Sequence, residues 1–116
     1  PSMEQTFMQS KLIRQIFDIV HQAYGEEFDP DSIDAARFAA HLRYFFARAQ
    51  ANRQLNGGIP EVALVVREGS GRAFQLAQRI KALLELRLQL HVSDDELTYL
   101  TLHVARMEHG IRARVS

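Results

Sequence analysis

The sequence predicts an all-α fold, a bundle of about five helices. Three observations carry that prediction. Apolar residues recur every three or four positions through four long segments, the spacing of one buried helix face. Glycine, proline and asparagine cluster between those segments and not within them. One segment, Ser93–Arg106, opens on its own helix start signal. The chain has 116 residues, of which 47% are hydrophobic. That is enough for a single core without disulfides or metals to staple it.

Residues 1–8 are expected to form a disordered N-terminus, and Pro1-Ser2-Met3 reads as a cloning remnant ahead of a start codon. From about Gln9 to Tyr24 the residues Ile13, Ile16, Phe17, Val20 and Tyr24 share one helical face, and Gly25 stops the helix. A turn follows, where Asp29-Pro30 or Ser32 offers the next helix its start. The second helix spans about Ser32 to Gln50, with Ala35, Phe38, Leu42, Phe45, Phe46 and Ala49 on a wide apolar face. Arg37, His41, Tyr44 and Arg48 occupy the neighbouring arc, because steps of three and four residues return to nearly the same side of a helix.

Asn56-Gly57-Gly58 is a loop by composition. The short run after Pro60, V-A-L-V-V, fits a helix or a strand equally well by pattern alone. Gly69-Ser70-Gly71 interrupts the chain, and a long helix then runs from Arg72 to about Leu90 with Phe74, Ala77, Ile80, Leu84 and Leu88 on one face. His91-Val92 connects it to the last helix. There Ser93 caps the first turn and Glu96, three residues on, is placed to complete a capping box, while Asp94 and Asp95 favour the positive end of the helix dipole. Leu97, Leu100, Val104 and Met107 form its buried stripe, with Tyr99, His103 and Arg106 beside it. A single domain of residues 9–109 results, with 110–116 a frayed tail.

Composition excludes several classes of function. Lys+Arg and Asp+Glu both number 14, so the basic excess expected of an autonomous nucleic-acid-binding domain is missing. There is no cysteine, hence no disulfide and no thiol nucleophile or ligand. No apolar run is long enough to span a bilayer, and the polar start shows no signal-peptide pattern. Neither a glycine-rich phosphate loop nor a histidine spacing suited to metal occurs. No cofactor or metal is expected, and the chain does not read as an enzyme.

What is left is a repeated theme. His41 and His103 each border an apolar stripe, with a tyrosine and at least one arginine on the same arc. The bland reading of such a histidine is a helix-border side chain bonded to a neighbour. Two alike favour chemistry. A nearby guanidinium disfavours the imidazolium form, so a neutral ring nitrogen is available as a nucleophile near neutral pH. Arg37, Arg48 and Arg106 are placed to hold phosphate oxygens through paired hydrogen bonds. The two imidazoles are expected to face each other or a shared groove, with both arginines Arg48 and Arg106 exposed and replaceable without harm to the fold. His21, His91 and His109 lack this surrounding and read as structural or solvated.

The run H-L-R-Y-F-F-A-R from His41 to Arg48, together with D-D-E-L-T-Y-L-T-L-H-V-A-R from Asp94 to Arg106, resembles the PTS regulation domain (PRD) of transcriptional antiterminators of the BglG/LicT type. F-D-P-D-S-I before the second helix and A-F-Q-L-A-Q-R-I in the fourth extend the likeness from Leu12 to Met107. In detail it is most similar to the second of the paired domains. Ser70-Gly71 stands where that family usually has a Tyr-Pro pair. The resemblance implies a cytoplasmic, homodimeric regulatory domain that is phosphorylated on His41 and His103 by HPr or an enzyme II of the sugar phosphotransferase system. It implies no direct nucleic-acid binding by this domain and no membrane insertion. The chain would be a fragment of a larger antiterminator or a stand-alone domain. Two other readings stand beside it: a histidine phosphotransfer signalling protein, for which one acceptor would suffice, and an inert helical interaction module.

Overall fold

The computed structural model describes residues 2–115. Five α-helices follow in order: α1 Met3–Tyr24, α2 Ile33–Gln50, α3 Pro60–Ser70, α4 Arg72–Leu88 and α5 Asp94–Val115, with a 3-10 turn at Gly25–Glu27 after α1. The all-helical bundle predicted from periodicity is therefore the fold. Helix α4 packs against α1 and α5, α2 against α5 and α1, and α3 lies on α5 and α4.

The core collects the predicted stripes. Leu12, Ile16 and Val20 of α1, Phe38 and Leu42 of α2, Ile80 and Leu84 of α4, and Val104 and Met107 of α5 are all essentially removed from solvent. Burying side chains of this size contributes about 1.5–3 kcal/mol each before the entropy of ordering is subtracted. Two further contacts extend the core to its edges. Phe17 meets Phe28 edge to face at 5.6 Å, tucking the turn after α1 onto the bundle. Tyr24 donates to Glu108 Oε2 at 2.8 Å while Arg72 lies 4.8 Å from its ring, so one tyrosine ties α1 to α4 and α5. Burial and the Glu108 carboxylate together push the Tyr24 phenol well above its ordinary range.

The structure fixes the element boundaries, moving some from where the sequence pattern puts them and deciding one it left open. Helix α1 begins at Met3, not near Gln9. Ser2 and Gln5 form a full capping box there, a start signal inside the stretch expected to be disordered. The ambiguous run after Pro60 is helical, with the proline at the first helical position where its missing N–H costs nothing. The break between α3 and α4 is confined to Gly71, whose φ of +43° suits glycine, and Gly69 and Ser70 stay helical. Helix α5 continues through Gly110 to Val115, because Ile111 is 2% exposed and anchors the last turns to the core. Pro1 and Ser116 lie outside the described residues.

Ser93 caps α5 as predicted, but Glu96 takes another role. The Ser93 hydroxyl accepts from the Glu96 amide at 3.1 Å, as a cap should. The Glu96 side chain does not reach back to complete the box. Instead the Ser93 amide donates to Gln54 Oε1 at 2.9 Å, and the Glu96 carboxylate turns to a neighbouring helix. A tertiary partner has displaced the local one.

Candidate functional site

Helices α2 and α5 cross so that their histidine-bearing arcs meet. The rings of His41 and His103 are stacked, with centroids 3.5 Å apart and planes within 20° of parallel. Tyr99, one turn before His103, stands edge-on to that ring at 4.3 Å and to His41 at 5.8 Å. Tyr44, one turn after His41, tilts against it at 6.2 Å and is otherwise exposed. Stepping by three and four residues along each helix aligns Tyr with His on a single side, and packing turns the two sides toward each other.

Both imidazoles are partly buried. Nδ1 of His41 and Nε2 of His103 are enclosed without a hydrogen-bond partner. Such nitrogens resist protonation, since an imidazolium needs both N–H groups solvated or bonded. Burial lowers the His103 pKa to about 4, reinforced by its neighbour His41 and by Arg106 and Arg48. Burial likewise lowers the His41 pKa, and Arg106, Arg37 and Arg48 add to the effect. The pair is therefore neutral at physiological pH, with a lone pair on each ring. A cavity of about 20 Å³ lies against it, walled by Phe38, Leu42, Phe45, Leu84, Val92 and Leu100. That volume holds nothing larger than about one water molecule, so the enclosed side of the pair admits no ligand and reagents reach the rings from their solvent-facing edges.

The three arginines singled out in the sequence occupy different settings. Arg106 is exposed, lowers the basicity of both imidazoles by its charge, and forms no ion pair among the described residues. Arg37 is half exposed and sits 3.5 Å from Asp34, on its own helix. Arg48 differs. Its Nε and Nη2 donate to the two oxygens of Glu96 at 2.8 Å each, a bidentate pair, and Glu96 is only 3% exposed. The same guanidinium lies 5.6 Å from the Tyr99 ring. The expectation that Arg48 is an exposed, dispensable side chain is thus corrected: it neutralises a buried carboxylate.

Glu96 is the residue that sequence reasoning placed in the wrong role. The capping spacing pointed to Ser93, and nothing local points to Arg48 on another helix. Of the remaining histidines, His21 lies 3.5 Å from Glu26 and His91 lies 3.2 Å from Glu85, both at the surface, and His109 is exposed; none approaches the pair. Among the described residues no cluster of three or more His, Cys, Asp or Glu is arranged to hold a metal ion, and no helix is long and apolar enough to cross a membrane.

Comparison with known proteins bears on this geometry. Residues 14–107 match the family model described as the PRD domain. The chain is 28% identical over 98 residues to transcription antiterminator LicT of Bacillus subtilis, covering 84% of this chain and 35% of that protein. It is 29% identical over 103 residues to Protein GlcT of Staphylococcus saprophyticus, covering 89% and 36%. With Protein GlcT of Staphylococcus aureus it shares 21% identity over 110 residues, covering 95% and 38%. The chain thus spans little more than a third of the length of these relatives. No solved structure gives a significant match.

Proposed function

The chain belongs to the PRD domain family, and from that premise we propose that it is a phosphorylatable regulatory and dimerisation domain of a transcriptional antiterminator. His41 and His103 accept phosphate from HPr or an enzyme II of the sugar phosphotransferase system, in the cytoplasm. The observation that carries this reading is the stacked pair of neutral imidazoles beside exposed Arg106. A neutral ring nitrogen attacks a phosphoryl group; the bond between phosphorus and the donor's own side chain breaks as the new one forms. The proton the imidazole sheds passes to the leaving donor side chain or to solvent. Arg106, with Arg37 for His41, supplies the cationic hydrogen-bond donors that a transferred phosphoryl group requires. The enclosed cavity beside the pair is too small for a nucleotide, which favours a protein phosphate donor over ATP. Two stacked histidines support this reading over a relay protein, for which one acceptor would suffice.

The test is phosphotransfer in solution. The protein is incubated with phosphoenolpyruvate, enzyme I and HPr, and separately with an enzyme II donor, and acid-labile phosphate is mapped. Label on His41 or His103, absent from the matching Gln variants, is expected. Label confined to His21, His91 or His109, or no label from any donor, would overturn the reading.

A further inference from the structure

The segment between α2 and α3 is held to the bundle in an unusual way. From Ala51 to Ile59 every residue is exposed except Gln54, which is partly covered. Hydrophobic burial therefore does little to fix it. Hydrogen bonds to the first turn of α5 do so instead. The Leu55 amide donates to Glu96 Oε2 at 2.9 Å, and the Leu55 carbonyl accepts from the Ser93 hydroxyl at 2.7 Å. Gln54 donates to the His91 carbonyl at 2.7 Å and accepts from the Ser93 amide. The Gly58 amide donates to Asp95 Oδ2 at 2.8 Å. Of these acceptors only Glu96 is buried, and Arg48 clamps both its oxygens. Arg48 in turn lies against Tyr99, whose ring abuts His103. One guanidinium thus stands between the histidine pair and the anchor of the connector.

We infer that phosphorylation of the His41–His103 pair is transmitted to the α2–α3 connector by competition for Arg48 between the phosphoryl group and Glu96. This rests on the reading of the pair as phosphoacceptors and adds how that site is read out. A phosphoryl group carries roughly −1.5 to −2 charges near neutral pH, by analogy with other phosphorylated side chains, against the single charge of a carboxylate. It therefore draws the guanidinium away from Glu96. A carboxylate left in a buried position without its cation is strongly disfavoured, so Glu96 turns outward and the Leu55 amide loses its acceptor. The connector and the start of α3, which contributes no buried side chain of its own, then loosen together.

The test needs no donor protein. Phosphoramidate phosphorylates histidine directly: its P–N bond breaks as the imidazole nitrogen bonds to phosphorus, and ammonia leaves with the ring proton. Amide hydrogen exchange is then followed residue by residue by NMR on the whole chain, with mass spectrometry to locate the phosphate. The Leu55 amide is expected to exchange about tenfold faster once His41 or His103 is phosphorylated, as befits loss of a hydrogen bond to a charged acceptor, while Leu84 in the core is unchanged. In Arg48→Lys, which keeps the charge but not the paired geometry, Leu55 should already exchange fast and respond no further. Glu96→Gln gives the same comparison should the lysine variant fold poorly. Phosphate on the pair with Leu55 exchange unchanged or slowed overturns the coupling and leaves the acceptor assignment standing. No phosphate on either histidine overturns both.

Discussion

Arg48 on α2 and Glu96 on α5 meet through two hydrogen bonds of 2.8 Å, and the carboxylate they hold is almost wholly buried. This contact joins the two helices that carry the histidines and divides the labour among the arginines. Arg48 has a structural duty. Arg106 is free of one.

The first prediction follows from that division. Arg48→Ala strands the Glu96 carboxylate and should cost about 3 kcal/mol of stability, the range seen when one partner of a buried pair is removed. Arg106→Ala should stay within about 0.5 kcal/mol of wild type, as an exposed substitution does, yet retain phosphate less well on either histidine. Urea unfolding of both variants and the decay of labelled phosphohistidine check this. Equal stability losses in the two variants would contradict it.

Acid should destabilise the protein through the histidine pair. Unfolding restores His103 to an ordinary pKa of about 6.5, whereas the folded value is about 4. Between those values the unfolded chain binds the extra proton, so stability is full above about pH 6.5 and declines toward pH 4. His41, shifted the same way, adds to the decline. Allowing for partial exposure, the loss attributable to the pair is on the order of 1–2 kcal/mol. Denaturant midpoints at pH 7.5, 6 and 5 should fall more steeply for wild type than for His103→Gln. Parallel curves would show that the ring takes up its proton freely in the folded state.

The connector gives a third prediction. A Cβ built on Gly58 would stand 2.4 Å from Asp95 Oδ1, on the carboxylate that accepts the Gly58 amide. Gly58→Ala must push Asp95 aside and forfeit that bond, at a cost of about 1 kcal/mol. Gly57 faces open space but has a φ of +74°, so its replacement by alanine is strained by the backbone alone. Thermal melts of the two variants, with Gly69→Ala as an unobstructed control, separate the causes. A Gly58→Ala protein as stable as wild type would remove the Asp95 contact from the account.

Charge at the pair should alter self-association. The imidazoles sit at the border of buried and exposed surface, and a phosphate there shifts a dimer only when two arrangements treat the charge differently. His41→Asp and His103→Asp introduce part of that charge. With the proposed dimerisation, each is expected to change the dimer dissociation constant or the shape of the dimer, measured by sedimentation and small-angle scattering. Indistinguishable curves for wild type and both variants would argue that phosphate marks the domain for another protein instead.

The sequence by itself determined what depends on neighbours along the chain. Helical period placed the apolar stripes of α2, α4 and α5, Ser32 and Ser93 marked their starts, and Tyr-His-Arg spacing put chemistry-bearing side chains on one arc of each of two helices. The same local signal stands at Ser2 and Gln5, within the stretch read as a cloning remnant and a disordered start. That the two histidine arcs meet was legible from their matching patterns; only the tertiary structure decided how closely. Stacking of His41 on His103 requires α2 and α5 to cross at one depth, and that register is set by the core residues of several helices at once. Glu96 makes the same point in a single side chain. Along the chain its best partner is the Ser93 amide, a solvent-accessible bond of modest net value; once α2 packs alongside, Arg48 offers two charged bonds in a buried setting, and the stronger, desolvated interaction prevails.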